Sequence, residues 1–67
     1  MSVLKVIEIL SQSTTSWEDA AQKAVDEASK SVKSIRSVYV QDQSAEVENN
    51  KIVSYRVNVK ITFSVEH

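Results

Sequence analysis

The clearest pattern in the chain is a strict alternation of apolar and polar residues in its C-terminal quarter. Apolar side chains occupy every second position from Tyr55 to Val65, and polar ones such as Ser54, Arg56 and Lys60 lie between them. Because successive side chains of a strand point to opposite faces, this pattern predicts a strand with one core-facing side and one polar side.

The N-terminal part predicts a strand, a loop and the start of a helix. Val3 to Leu10 are mostly β-branched or aliphatic, and the polar run Ser11 to Ser16 follows them, which predicts a strand and then a connecting loop. Ser16 and Asp19 have the spacing of a capping box. The helix is therefore predicted to begin near Trp17.

Beyond Trp17 the apolar positions predict one buried helical stripe. They recur at three- and four-residue spacing and are Trp17, Ala20, Ala21, Ala24, Val25, Ala28, Val32 and Ile35. Lys30 and Lys33 fall in the last predicted turns, where positive charge suits the helix dipole. Trp17 belongs to this stripe, so we expect it to pack in the core or against another subunit.

After Ile35 the period of the pattern changes to two, which predicts a second strand. Val38 and Val40 are expected on one face, and the polar face is expected to carry Ser37, Tyr39, Gln41 and Gln43. Glu48 to Lys51 predicts a hairpin turn, because Asn tolerates the positive φ of tight turns when Gly is missing.

Together these elements predict a single α+β domain over residues 1–67. Its order is β-α-β-β, with a three-stranded antiparallel sheet packed on one amphipathic helix. The helical stripe is expected to pack on the apolar sheet positions, which are Val38, Val40, Val57, Val59, Ile61 and Phe63. The other sheet face is polar, so it either meets solvent or forms the wall of a site.

Size and composition indicate that this subunit is incomplete by itself. A 67-residue chain buries only about 60% of the surface of its unfolded form, and such chains usually add disulfides, a metal or a partner subunit. There is no cysteine, which leaves a metal or oligomerisation. Eight basic and nine acidic residues give a formal net charge of −1, which argues against a nucleic-acid or anionic membrane partner.

Other function classes are disfavoured by what the chain lacks. Without glycine it has neither a P-loop nor a dinucleotide fingerprint. Lys5 and Glu8 interrupt a short N-terminal apolar run, so no signal peptide or membrane span is expected, and we expect a cytoplasmic protein. No catalytic constellation is evident, so we expect a protein without enzymatic activity. His67, the only histidine, is assigned no chemistry, because a terminal His is also typical of a purification tag.

Four segments resemble those of the dodecins. They are Val3 to Ile9, Ser16 to Ala21, Val40 to Gln43 and Ile52 to Phe63. Each is mostly strand or helix patterning, but together they cover nearly the whole chain in the same order and with the same turn position. The resemblance implies a β-α-β-β subunit of a hollow homododecamer that binds flavin, as riboflavin or FMN, for storage rather than for reaction.

The resemblance also implies where a flavin would bind, and two residues of this chain differ there. Flavin-binding dodecins stack a Trp on the ring and hydrogen-bond its polar edge with a Gln, and the matching residues here are Ser37 and Arg56. Tyr39, two residues further along, offers an aromatic platform on the same predicted face. Arg56 is suited to stacking or to gripping a phosphate. Asp42 matches an acidic residue near the ribityl chain.

Three functions stay open on this reasoning. One is flavin binding through Ser37, Tyr39, Asp42 and Arg56. Another is a cage for a different ligand, either a phosphate-bearing cofactor such as coenzyme A or a calcium ion held by symmetry-repeated carboxylates, for which the candidates are Glu8, Asp42, Glu46 and Glu48. The third is a scaffold that has lost its ligand. Tyr39 and Arg56 would alternatively contact each other or a neighbouring subunit, and Asp42 would then be a solvated strand residue.

Overall fold

The fold of the chain is one three-stranded sheet with one helix on it. A computed structural model describes residues 3–65, so His67 lies outside the described residues. Strand β1 spans Val3–Ser13, helix α1 Trp17–Ala28, strand β2 Ile35–Glu48 and strand β3 Lys51–Val65. β3 lies in the middle, antiparallel to both neighbours, in the order β1-β3-β2. The predicted β-α-β-β fold is confirmed.

Strand β1 is three residues longer than its apolar pattern predicts. Ser11, Gln12 and Ser13 pair with Val57, Arg56 and Tyr55 of β3, so the prediction that the loop begins at Ser11 was wrong. A long central strand offers backbone partners to any residue beside it, and these backbone hydrogen bonds do not depend on how polar the side chains are.

Helix α1 begins as predicted but ends early. Ser16 caps it, because its Oγ accepts a hydrogen bond of 2.9 Å from the backbone N–H of Asp19. The helix stops at Ala28, so the prediction that Lys30 and Lys33 lie in its last turns was wrong. The serine-rich segment after Ala28 favours turns over helix. Val32 and Ile35 still pack against the core, which explains why the apolar spacing continues past the helix.

The β2–β3 hairpin closes at the predicted asparagines. Asn49 and Asn50 have φ values of 51° and 64°, and two successive left-handed residues are what a two-residue type I′ turn requires. This turn joins the two longest strands and fixes their pairing.

The core lies between α1 and the half of the sheet formed by β1 and β3. Its buried apolar residues are Ala20, Ala24, Ala28, Val57, Val59 and Ile61. Val38 and Val40 point to the same face, because they pair with Ile61 and Val59, yet they are 38% and 37% exposed. The prediction that they belong to the core was wrong, since α1 lies mainly against β1 and β3 and contacts β2 less.

Trp17 ties the start of the helix to the sheet. Its ring meets Tyr55 edge-on at a centroid distance of 4.8 Å, and its Nε1 donates a hydrogen bond of 2.9 Å to the backbone carbonyl of Ser44. The side chain is half-buried against the core, as predicted, and its indole N–H has a partner within its own chain.

Candidate functional site

The candidate site is the sheet surface that faces away from α1, which we call the open face. Residues paired across an antiparallel sheet point to the same side. The open face can therefore be described as rows that run across the strands, each made of one residue of β1, one of β3 and one of β2. Named after their β3 residue, they are the Thr62 row (Val6, Thr62, Ser37), the Lys60 row (Glu8, Lys60, Tyr39), the Asn58 row (Leu10, Asn58, Asp42) and the Arg56 row (Gln12, Arg56, Ser44).

All four residues singled out from the sequence lie on the open face, but not at one point. Ser37 is in the Thr62 row and Arg56 is six residues away along β3, a separation of about 20 Å at the usual rise per residue. Tyr39 is about 13 Å from the Arg56 row by the same measure. A ligand that touches the positions of both Ser37 and Arg56 must therefore extend over about 20 Å of the open face or lie between two copies of the chain.

A β-bulge changes which β2 residues reach the open face. The register shifts between Val40 and Asp42, so that Asp42 pairs with Asn58 and Gln43 with the core residue Val57. The prediction that Gln43 shares the polar face with Tyr39 was therefore wrong, and Gln41 falls outside the paired ladder. A bulge inserts one residue and reverses the alternation beyond it, and the sequence carries no signal that would locate it.

Arg56 is held by both neighbouring strands. Its Nη2 lies 3.4 Å from the Gln12 Oε1 and 3.8 Å from the Glu46 Oε1. Together with Leu10 and Ser11 it lines a shallow cleft of about 250 Å³. Because the ion pair is long and partly exposed, it stabilises the fold by at most about 1 kcal/mol. The guanidinium keeps N–H donors for another group, and the alternative of a contact with Tyr39 does not occur within residues 3–65 of one subunit.

The middle of the open face carries polar groups without partners. Tyr39 is 64% exposed, and within residues 3–65 neither it nor Lys60 nor Asp42 makes a hydrogen bond or ion pair. The Oδ1 of Asn58 is buried and has no hydrogen-bond partner in the described part of the chain. Lys60 and Asn58 were not singled out from the sequence, where only their place in the alternation hinted at a role.

The carboxylates considered for calcium do not converge in one subunit. In the described range 3–65, no three His, Asp or Glu side chains lie close enough together to hold a metal ion. Asp42 and Glu46 lie along β2, Glu48 is its last residue before the hairpin turn, and Glu8 lies on β1 at the opposite edge of the sheet. A metal site built from these groups needs oxygen atoms from more than one copy.

Asp19 is the carboxyl whose proton affinity the fold changes clearly. The Ser13 Oγ donates to its Oδ2 at 2.6 Å, and the Lys23 Nζ lies 2.9 Å from the same oxygen. These two contacts, the hydrogen bond from Ser13 first, lower the pKa of Asp19. Asp19 joins the end of β1 to the first turn of α1, so its role is structural.

The sequence and the fold of this chain are similar to those of known proteins. The family model described as dodecin matches residues 3–66 of this chain. The chain belongs to the dodecin family. As a dodecin it is a small binding or storage protein. The structure contains no helix between residues 3 and 65 that is long and apolar enough to cross a membrane.

Individual dodecins are similar over nearly the whole chain. A calcium dodecin from Mycobacterium tuberculosis is 42% identical over 65 residues, which cover 97% of this chain and 92% of that protein. The crystal structure of a calcium dodecin from the same organism, described as having a novel calcium-binding site, is 40% identical with a TM-score of 0.82, over 97% and 93% of the two chains. Dodecin from Streptomyces coelicolor is 21% identical with a TM-score of 0.91, over 98% and 94%.

Proposed function

We propose that this dodecin is a non-catalytic binding protein that assembles into a homododecamer and holds calcium ions. The observation that carries the proposal is its 42% identity, over 97% of its length, to a protein named calcium dodecin. The two positions that would favour flavin carry Ser37 and Arg56 instead, so the family resemblance gives less support to flavin than to a different ligand.

The donor atoms along β2 are of the kind that calcium prefers. Calcium takes six to eight oxygen ligands from carboxylates and backbone carbonyls. Asp42, Glu46 and Glu48 are exposed on β2, and because β2 is an edge strand, its outer carbonyls have no partner within the sheet. The bulge beside Asp42 frees further backbone groups. Several copies together would supply the ligand number that one lacks, and a bound ion would link them and offset their negative charge.

Calorimetry on calcium-free protein tests this function. We expect heat of binding in a calcium titration of the full chain, and a higher melting temperature, since calcium at one hundred times its Kd stabilises a single site by about 2.7 kcal/mol. Asp42→Asn should weaken binding at least tenfold, because Asp42 has no partner within residues 3–65 of its own chain. Glu18→Gln, which changes an exposed carboxylate on α1 rather than on β2, is the matched control and should bind as the wild type does. Absence of both heat and thermal shift at millimolar calcium would end the proposal.

Flavin binding is the second candidate, and the exposed ring of Tyr39 favours it. Tyr39 lies on the open face with Lys60 as its paired neighbour. Lys60, rather than the more distant Arg56, is thus the cation placed to meet an anionic group of a ligand stacked on Tyr39. Stacking on an aromatic ring contributes about 0.5 to 1.5 kcal/mol beyond the burial of area.

Flavin fluorescence distinguishes the second candidate from the first. Riboflavin and FMN at tens of micromolar should lose emission on binding, and Tyr39→Ala should weaken their affinity about tenfold. Tyr39→Phe keeps the ring and serves as the control, with affinity close to that of the wild type. Unchanged fluorescence with both flavins would remove this candidate and leave the calcium proposal standing.

A further inference from the structure

We propose that Arg56 competes with calcium for Glu46, because its guanidinium already contacts the carboxylate that the ion needs. The inference rests on the proposed function and names the residue that sets the affinity of that site. Binding of an ion to Glu46 requires the contact between Arg56 and Glu46 to open, so the ion is held less tightly than its oxygen ligands alone would hold it.

Arg56 lies between two of the carboxylates of β2. Asp42, Ser44 and Glu46 follow one another at every second position on the open face, and Arg56 pairs with Ser44 in the middle. Asp42 and Glu46 are therefore each about 7 Å along the strand from the Arg56 row. The guanidinium is thus a positive charge placed beside both proposed calcium ligands, and its contact is with Glu46.

The guanidinium has acceptors on both sides of β3. Its Nη2 lies 3.8 Å from the Glu46 Oε1 on β2 and 3.4 Å from the Gln12 Oε1 on β1. The Glu46 side chain has no other hydrogen bond or ion pair among residues 3–65. Opening of the contact with Glu46 therefore frees that carboxylate for calcium, while Arg56 keeps the Gln12 carbonyl as an acceptor.

The charges of the two cations determine the direction of the effect. A guanidinium and a calcium ion both bind carboxylate oxygens, so they compete for Glu46, and they also repel each other. The side chains of Arg56 and Glu46 are 41% and 59% exposed, which means that solvent screens their contact. Removal of Arg56 should therefore strengthen calcium binding only about three- to fivefold.

A competing cation within the chain suits a protein that takes up an ion and releases it again. When calcium is scarce, Arg56 offsets the charge of Glu46 beside the other carboxylates of β2. When calcium is abundant, the ion replaces the guanidinium at Glu46. Because linkage is reciprocal, the ion that Arg56 weakens also weakens the contact between Arg56 and Glu46.

A double-mutant cycle followed by calorimetry on the full chain tests the competition. Arg56→Gln removes the cation and keeps a polar side chain, and it should lower the Kd for calcium about three- to fivefold. In the Glu46→Gln background, the same change should alter the Kd by about twofold or less, because the contact is already absent. A gain of affinity is a sharp result, since damage to the fold or to assembly would weaken binding instead.

Two further variants and one spectrum serve as controls. Lys33→Gln removes a positive charge in the segment between α1 and β2 and should leave the Kd within about twofold. Arg56→Met should act in the same direction as Arg56→Gln. If Glu46→Gln binds calcium too weakly to measure, NMR of the wild type decides, because calcium should shift the Arg56 Nε–H signal. Unchanged or weaker binding by both Arg56 variants would overturn the proposal, as would an equal gain from Lys33→Gln, an equal gain in the Glu46→Gln background, or an Arg56 signal that calcium does not move.

The outcome is separable from that of the proposed function. Calcium binding by the wild type with no gain in the Arg56 variants would keep the calcium function and overturn the competition. A wild type that gives no heat, together with an Arg56→Gln protein that binds calcium, would support the competition and contradict the function of the natural chain. Absence of binding by both proteins would contradict both.

Discussion

The two faces of the sheet differ in how completely their own chain satisfies them. On the face toward α1, Val57, Val59 and Ile61 are buried under Ala20, Ala24 and Ala28. On the open face, Leu10 is exposed, and Lys60, Asp42 and the Asn58 Oδ1 have no partner within residues 3–65. Both faces come from the same three strands, so the difference arises from which face the single helix covers.

This contrast separates folding from function. Burial of apolar surface under α1 is the main force that stabilises one subunit, and the fully buried residues on the helix side are all alanines. The unsatisfied open face contributes little to that stability and is available for a second copy or a ligand. Changes on the first face should therefore act on folding, and changes on the second should act on assembly and binding.

The largest expected effect is that of a charge placed in the core. Ala24 is 1% exposed at the helix–sheet contact, so Ala24→Glu should destabilise the fold by at least about 4 kcal/mol, which urea unfolding followed by circular dichroism would measure. Gln22→Glu, on the exposed side of the same helix, is the control; it exchanges a surface hydrogen bond to Asp26 for a like-charge neighbour and should cost about 1 kcal/mol or less. A stable Ala24→Glu protein would mean that the helix presents a different side to the sheet.

An intermediate effect compares the two faces directly by truncating one apolar side chain on each. Ile61→Ala removes a fully buried side chain and should cost about 2–5 kcal/mol at every protein concentration. Leu10→Ala should change the stability of the subunit by about 0.5 kcal/mol or less, and any larger effect should depend on protein concentration because it reflects loss of assembly. Urea unfolding at two concentrations a hundredfold apart measures both. If Ile61→Ala and Leu10→Ala lowered the free energy of unfolding equally, and equally at both protein concentrations, the two faces would not differ in the way described.

The smallest effect concerns the pH dependence of the link between β1 and α1. The pKa of Asp19 is lower in the folded chain than its usual 3.8, so its ionised form stabilises the fold above that pH. This stabilisation is lost as the pH falls through the folded pKa. Asp19→Asn should therefore be less stable than the wild type at pH 7, and the gap in melting temperature should close on acidification. Ser13→Ala removes the hydrogen bond that contributes most to the lowered pKa of Asp19. In that background, Asp19→Asn should lower the melting temperature at pH 7 by less than it does in the wild type. A gap that stays constant down to about pH 2 would contradict this account.

Much of the fold could be predicted because local patterns and backbone preferences agreed with the tertiary structure. The alternation from Tyr55 to Val65, the Ser16 cap and the asparagine turn each depend on a few neighbouring residues. The end of α1 could not be predicted, because Val32 and Ile35 keep the apolar spacing after the backbone has left the helix. Their burial comes from contacts with the core that the spacing does not distinguish from a helical stripe.

The candidate site was predicted less completely than the fold. Ser37, Tyr39 and Arg56 do share the open face, as their alternation predicts, and Asp42 joins them only because a bulge follows Val40. Lys60 and Asn58 were missed as candidates, since an unpaired lysine or asparagine looks like any solvated strand residue in a sequence. Their lack of partners within residues 3–65 becomes visible only when the strand register shows what lies beside them.

The sequence by itself determined the order of the elements and the two-sided character of β3, and it led to the expectation of a metal or a partner subunit. These follow from side-chain periodicity, turn chemistry and a chain of 67 residues without cysteine, all of which are local or additive properties. Only the tertiary structure decided where α1 lies, that Val38 and Val40 stay uncovered, and which polar groups on the open face lack partners within residues 3–65. Those features depend on the register of distant strands and on one bulge, because a shift of a single residue moves every later side chain to the other face.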